Sequence, residues 1–329
     1  MVNSGYKISI ALCTFNGAQH LPAQLNSIAI QHRLPDELVV CDDQSNDDTV
    51  EIIKGFARQA PFPVYFDINE ENLGTTKNFE KAVALCKGDI ITFCDQDDVW
   101  REDKLVQIEA VFSASPRVGA VFSDAELVNE DLEPLGHSLW QAINFSRAQQ
   151  ERFVGDRSIE ALLKCISLSH GMMMAFRAIY KTAILPFPSR FGHDNWTALI
   201  IAGLSDLAFI RQPLVRYRQH QSQQVGPPNR SRLMGKLTGV QATTAAGLYF
   251  AQADLFTSAC RRVEGLGAAE CHREKLALLQ AKAKHMLLRA NIPKRGWQRW
   301  PVVLKELAEF RYHRYSNGVL SAVKDIVLQ

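Results

Sequence analysis

Five mostly apolar, β-favouring residues, Ile90-Ile91-Thr92-Phe93-Cys94, run directly into Asp95-Gln96-Asp97-Asp98-Val99-Trp100. Such a run reads as a strand of a parallel sheet, buried on both faces. Ligands in open α/β sheets bind outside the carboxyl ends of the strands. Three carboxylates crowded there repel one another. A divalent cation relieves that repulsion, and Mg²⁺ typically takes one or two carboxylates plus substrate phosphates. The competing reading is a solvated acidic turn that caps the next helix.

The preceding residues place that strand in a repeating pattern. Strands are predicted over 7–12, 37–41 and 64–68, and helices over 19–29, around Val50, Ile53 and Phe56, and around Phe79, Ala82, Val83 and Cys86. Gly88 is read as the stop of the third helix. Four alternations of strand and helix predict a parallel sheet with right-handed crossovers. Thr14 and Asn16 then follow strand one, Asp42 and Asp43 strand two, and Asp95 to Asp98 strand four, all on one rim. This is the layout of a nucleotide site, yet no G-x-G-x-x-G follows strand one and no G-x-x-x-x-G-K-[ST] occurs anywhere. Without a glycine loop for the phosphates, a metal held by aspartates is the expected substitute.

Cys13-Thr14-Phe15-Asn16-Gly17, Val39-Val40-Cys41-Asp42-Asp43-Gln44-Ser45-Asn46-Asp47-Asp48-Thr49, Asn72-Leu73-Gly74 and Phe93-Cys94-Asp95-Gln96-Asp97-Asp98-Val99-Trp100 together resemble family 2 glycosyltransferases over roughly residues 7–225. The resemblance implies an α/β GT-A fold, Rossmann-like and of the nucleotide-diphospho-sugar transferase type: a mostly parallel sheet flanked by helices. It implies inverting sugar transfer from a nucleotide diphosphate donor with Mg²⁺ or Mn²⁺. Carried over, Phe15 lines the nucleobase, flanked by Thr14 and Asn16, and Asp43 accepts a hydrogen bond from the base. Lys77 lies near the diphosphate. Asp95-Gln96-Asp97 is the D-x-D motif, with Asp97 the direct metal ligand and Asp95 nearer the ribose. Asp98 and Trp100 face the sugar. The alternatives are a core aromatic for Phe15, a turn brace for Asp42 and a solvated helix residue for Lys77.

Further along, helices are expected over 100–112 and 196–202, and strands over 120–122, 208–210 and 214–217. Residues 136–157 read as irregular, covering the acceptor side of the cleft or forming a surface excursion. The run Met172-Met173-Met174 reads as a core strand, with His170 and Gly171 near the donor sugar. Inverting transfer needs a base for the acceptor hydroxyl, and Asp194 in Phe191-Gly192-His193-Asp194-Asn195-Trp196 is the candidate. Its other reading is a helix N-cap, and His193 assists or packs beside it. Tyr217-Arg218-Gln219-His220 resembles the family segment that closes over the diphosphate. His220 is read as a third metal ligand or a diphosphate contact, and Arg216 or Arg218 as a phosphate partner. Gln223 and Gln224 stand where the family often has Asn.

Gly226-Pro227-Pro228-Asn229 marks a boundary between a catalytic domain, 1–225, and a helical extension, 226–329. Helices are predicted over 248–263 and 274–288. From 289 to 329 there are eight Lys or Arg against three acids, interleaved with Trp297, Trp300, Phe310, Tyr312 and Tyr315. That mixture suits an anionic membrane surface, a helical cap on the catalytic domain, or a homodimer face.

The net charge of +2 argues neither for nor against nucleic acid, and no nucleic-acid motif occurs, so no nucleic-acid partner is expected. Seven scattered cysteines without a C-x-x-C pair point to a reducing, cytoplasmic setting, with any contact to the inner membrane peripheral. No signal peptide and no membrane span is expected. The leading expectation is a glycosyltransferase using a UDP- or dTDP-sugar and a glycan or lipid-linked acceptor in bacterial surface polysaccharide synthesis. The alternatives are a sugar-phosphate nucleotidyltransferase and a non-catalytic nucleotide-sugar-binding module.

Overall fold

The computed structural model describes residues 5–220, 245–267, 272–293 and 296–327. Its centre is a nine-stranded sheet: β1 (Ile8–Thr14), β2 (Glu37–Asp42), β3 (Val64–Ile68), β4 (Ile90–Asp95), β5 (Val99–Trp100), β6 (Val118–Val128), β7 (Pro134–Ser138), β8 (Met174–Arg177) and β9 (Asp206–Arg218). The order is β3-β2-β1-β4-β8-β6-β9-β5, with β7 beside β6. The four expected strands are parallel: β1 pairs with β2 and β4, and β2 with β3. Helices α1 (Leu21–Ala29), α2 (Thr49–Ala57) and α3 (Thr75–Leu85) connect them. β8 then runs antiparallel to both β4 and β6, which ends the parallel half.

Register sets the rim. Thr14 lies across from Asp42, and Cys13 from Asp95, so three strand ends finish side by side. β4 is buried until Cys94 and only partly enclosed from Asp95, where the sheet stops. Gly88 does not end α3 as a left-handed cap. A Cβ there would lie 2.8 Å from the Lys7 carbonyl oxygen and the Ser9 amide nitrogen, so glycine permits close approach to β1.

Several expected bounds shift for identifiable reasons. Trp100 belongs to the short strand β5 on β9, and the following helix α4 starts at Lys104 (Lys104–Ala114). The two short strands expected over 208–217 are one strand, β9. Pro213 sits at a register irregularity opposite Asp124, which accommodates its missing N–H. β6 likewise continues through Ser123-Asp124, because the Asp124 carboxylate accepts from the Ala125 and Trp140 amides. Residues 136–157 are not irregular. They form the end of β7 and helices α5 (Leu139–Ala142) and α6 (Arg147–Arg152), each opened by a Ser-x-x-Gln capping box. Their aromatics Trp140, Phe145 and Phe153 are buried.

Beyond α7 (Ile159–Lys164), α8 (Lys181–Ile184) and α9 (His193–Leu204), the two expected C-terminal helices are α10 (Ala245–Gly265) and α11 (Arg273–Ala290). Leu255, Phe256, Val263, Leu276 and Leu279 join the main core. They close on α9, where a Cβ at Gly203 would touch Val263 and Leu279. Helices α12 (Gly296–Ala308), α13 (Arg311–Tyr315) and α14 (Val319–Val327) gather round a separate cluster of Ile292, Val303, Tyr312 and Ala322. The expected boundary at 226–229, and Gln223 and Gln224, lie outside the described residues.

Candidate active site at the carboxyl rim of the sheet

The two loops after β1 and β2 are stitched together by their own polar side chains. Thr14 Oγ1 donates to Asp42 Oδ2 at 2.7 Å, and Asp42 also accepts from the Ser45 amide and hydroxyl. Asn16 takes the left-handed conformation, φ 47°. Its amide donates to Ser45 Oγ, and its Oδ1 accepts from the Asn46 amide. Thr14, Asn16 and Asp42 therefore brace the loops, as the alternative reading of Asp42 required. Phe15 projects from this frame 41% exposed, which excludes the core-aromatic alternative. The Gln96 carboxamide clamps the Phe15 backbone from below: its Oε1 accepts from Phe15 N at 2.9 Å and its Nε2 donates to Phe15 O at 3.0 Å. Gln96 thus joins the D-x-D turn to the β1 loop through main-chain bonds.

The D-x-D turn lies against the segment that follows β9. Asp97 Oδ2 lies 2.9 Å from His220 Nε2, across 123 positions of chain. Burial and the neighbouring Asp97 and Asp194 push the Asp95 carboxyl up to about 7. Burial likewise pushes Asp194 up to about 6, against stabilising backbone donors including the Gly171 amide. Asp194 occupies the first turn of α9, while Gly192 holds the N-cap position, so the N-cap reading of Asp194 does not hold. Asp97 and Asp194 both act electrostatically on Asp95. Gly171 packs directly beneath: a Cβ there would meet His193 Nε2 at 2.9 Å and Asp194 Cβ at 3.8 Å.

Other expected site residues are engaged in contacts within the chain. Asp43 is buried, and its carboxylate accepts from Asn69 Nδ2 and from the Leu73 and Gly74 amides. It holds the Asn72-Leu73-Gly74 loop, with three of about four lone-pair sites used. Lys77 Nζ is bound to Glu80 and to the Phe187 carbonyl oxygen rather than standing free at the rim. Asp98 is fully buried and cannot face a sugar; its Oδ1 accepts from the Arg218 amide at 3.2 Å. Trp100 is buried under the Lys104 ammonium, 3.7 Å from its ring. His170 is buried, and burial lowers it to about 4. His193 is stacked on Phe79 with ring centroids 3.9 Å apart and edge-on to Phe93, and burial lowers it to about 3. It packs against these rings. Arg218 is buried as well; its Nε donates to the Asp97 carbonyl oxygen at 2.8 Å and its Nη1 to that of Glu130. It buttresses the Asp97 backbone. Arg216 pairs with Glu126.

Two participants carried no motif. His20 lies with its ring 4.8 Å from that of His220, and burial, with Arg218 and His220, lowers it. Lys104 is fully buried, donates to the Met172 carbonyl oxygen at 2.6 Å and interacts with Asp95 and Asp98; burial lowers it to about 7. Its signal was its spacing. Lys104, Ile108 and Phe112 are four apart on one buried stripe.

The donor set fits a hard or borderline divalent cation. Asp97 Oδ2 and His220 Nε2 converge beside carboxylates that need a positive charge. Among the described residues no group of three or more His, Cys, Asp or Glu is arranged to hold a metal ion. Two protein donors with the rest left to substrate oxygens is a familiar arrangement for Mg²⁺, and the imidazole favours Mn²⁺.

Residues 9–178 match the family model for glycosyl transferase family 2. Similar curated proteins include a glycosyltransferase of Nostoc sp., alr2836, 34% identical over 115 residues that make 35% of each chain. Another is the O-antigen chain rhamnosyltransferase RfbN of Salmonella typhimurium, 26% identical over 216 residues, 64% of this chain and 66% of that one. The matched region thus spans about one third to two thirds of the length of these relatives. The fold is similar to that of S. aureus TarS 1–349 in complex with UDP-GlcNAc, with TM-score 0.57, 15% identity and 97% and 89% of the two chains covered. The expected GT-A architecture is therefore present.

Proposed function

Because the chain belongs to glycosyl transferase family 2, we propose that it transfers a sugar, with inversion, from a nucleotide diphosphate donor to a hydroxyl of a glycan or lipid-linked acceptor. The observation that carries this reading is the convergence of Asp97 and His220, 2.9 Å apart, with Asp95 at the end of β4 and Asp194 in the first turn of α9 close by. Likeness to an O-antigen rhamnosyltransferase supports bacterial surface polysaccharide as the product and a deoxyhexose or hexose as the sugar transferred. UDP- and dTDP-sugars are the donors to test first.

Phe15 offers an exposed ring on which a nucleobase stacks, held at a fixed height by Gln96. Asp97 and His220 would hold Mg²⁺ or Mn²⁺. When bound, that ion supplies positive charge against the departing diphosphate. Arg218 keeps the Asp97 backbone in place from behind. Asp194 takes the proton from the acceptor hydroxyl as that oxygen attacks the anomeric carbon from the face opposite the leaving group. Its affinity for protons, about 6, leaves it ionised at neutral pH yet basic enough to accept.

The test is a donor panel. Thermal stabilisation is measured with UDP-, dTDP- and GDP-sugars, each with and without Mn²⁺, followed by transfer assays with the stabilising donor. Stabilisation by one nucleotide that needs both the ion and Asp97 supports the reading. Metal-independent stabilisation, unaffected by Asp97→Ala, overturns it.

A further inference from the structure

Two C-terminal helices are built inside out. In α14 the inward residues are Ser321, Ala322 and Asp325, while Leu320, Val323 and Val327 point to solvent. Asp325 is fully buried: it accepts from Arg289 Nε at 2.6 Å, from Tyr312 Oη at 2.7 Å and from Tyr249 Oη at 3.2 Å. In α12 the inward residues are Arg299, Val303 and Glu306, while Trp297, Trp300 and Leu304 point out. Glu306 is bound inside by His285 Nδ1 at 2.6 Å and by Arg311. Arg299 reaches the Ile326 carbonyl oxygen, so the two helices are joined by a polar bond. Each also sends a few apolar residues, Val303 and Leu307 from α12 and Ala322 and Ile326 from α14, into one small shared cluster.

A globular helix normally buries its apolar stripe and leaves the charged one in water. Here each helix spends its acids and Arg299 on interior bonds. Each exposes large apolar side chains at positions i, i+3 and i+7, with Trp297 at 73% and Leu320 at 72% exposure. Phe310, at the turn into α13, adds a further ring, 70% exposed. Lys305 and Lys324 on the same helices, and Arg314 of α13, are exposed with them. The exposed acid Glu309 is paired with Arg311.

We infer that the outer faces of α12 and α14 form a docking surface for an anionic lipid bilayer, lying in the interface with Trp297, Trp300, Phe310 and Leu320 entering the headgroup–acyl boundary. Aromatic and aliphatic side chains flanked by lysines match that chemistry: apolar area enters the boundary while cations meet acidic headgroups. Among the described residues no helix is long and apolar enough to cross a membrane, so contact through this surface is in-plane. A second copy of the chain is disfavoured as occupant, since a two-fold contact sets the same patch, with Lys305 and Lys324, against itself. These observations are independent of the proposed reaction.

The experiment is flotation of the full chain with vesicles of phosphatidylglycerol and phosphatidylethanolamine, against phosphatidylcholine alone. The expected result is selective flotation with the acidic vesicles. It drops about tenfold or more in Trp297→Ser/Trp300→Ser and in Leu320→Ser/Val323→Ser, and weakens in Lys305→Glu/Lys324→Glu and at high salt. Because substitutions can disturb folding, tryptophan quenching by brominated lipids in the unaltered protein provides a second reading. No flotation, or no quenching, overturns the inference. So does a dimer in sedimentation that the same substitutions dissociate, because a second copy then covers the face. Donor binding measured in detergent-free buffer without vesicles stays unchanged in all three variants.

Discussion

Asp97 Oδ2 and His220 Nε2 meet at 2.9 Å, although 122 residues separate them in the chain. One sits on the turn after β4, the other just past β9. β5, formed by the residues directly after the turn, pairs with β9 and draws the two together. Each alone is a common residue in a common place; together they are the two ligands we propose for the metal.

Removing either side chain weakens metal-dependent turnover. Asp97→Ala and His220→Ala are expected to raise the Mn²⁺ concentration for half-maximal transfer by about 100-fold or more, on the scale by which lost metal-site partners act. Metal titrations of initial rate check this. An unchanged Mn²⁺ requirement in His220→Ala removes His220 from the metal site.

Asp194 must be ionised to act as base, and burial holds its carboxyl up to about 6. Below that pH the rate is expected to fall about tenfold per unit; above it the rate levels off. Asp194→Asn loses the limb and about 10²- to 10⁴-fold in kcat, while donor affinity stays near that of the unaltered protein. A pH–rate profile with isothermal titration of the donor separates these effects.

Gln96 supports Phe15 by two main-chain hydrogen bonds. Stacking on an aromatic ring contributes about 1–3 kcal/mol per base in nucleic-acid sites. Phe15→Ala therefore weakens nucleotide binding by about 5- to 150-fold. Gln96→Ala weakens it less, by loosening the ring's support. Equal affinity of all three proteins for the nucleotide, measured by titration, would falsify the stacking role.

Lys104 is buried with its affinity for protons lowered to about 7, from an unfolded value near 10.5. Between those values the unfolded chain binds more protons than the folded one, so this group makes stability rise with pH. The slope is at most about 1.4 kcal/mol per pH unit. Lys104→Met should flatten the rise in melting temperature from pH 7 to 9 relative to the unaltered protein. It should also free the Met172 carbonyl oxygen that the ammonium now binds. An unaltered slope in the variant assigns the pH dependence elsewhere.

Local pattern alone gave the parallel half of the fold. β3 and the start of β4 fall where alternation and apolar runs put them, β1 starts one residue later and ends two later than expected, and β2 ends one later. The polar residues after β1, β2 and β4 share a rim because parallel strands point one way. Phe15 and Gln96 were identified as site residues from motif, yet the clamp between them depends on register between β1 and β4. Ser-x-x-Gln boxes at Ser138 and Ser146 were present in the sequence and would have replaced the irregular reading of 136–157 with helices.

What a short window cannot hold is which side of an element becomes the inside. Asp98, Trp100 and Asp97 are near neighbours in one motif, but Asp98 and Trp100 are buried against β9 and Lys104 while Asp97 stays at the rim. Asp43, expected at the base, also holds the 69–74 loop through three accepted hydrogen bonds. The basic, aromatic C-terminal sequence was legible as composition; its inversion, with Asp325 and Glu306 inward, was not. Periodicity and turn chemistry act over a few residues, and so the sequence by itself determined strands, helices and the acidic rim. Burial and hydrogen-bond partnership arise between segments a hundred residues apart, and so only the tertiary packing decided which carboxylates meet solvent, which meet a guanidinium, and which meet each other.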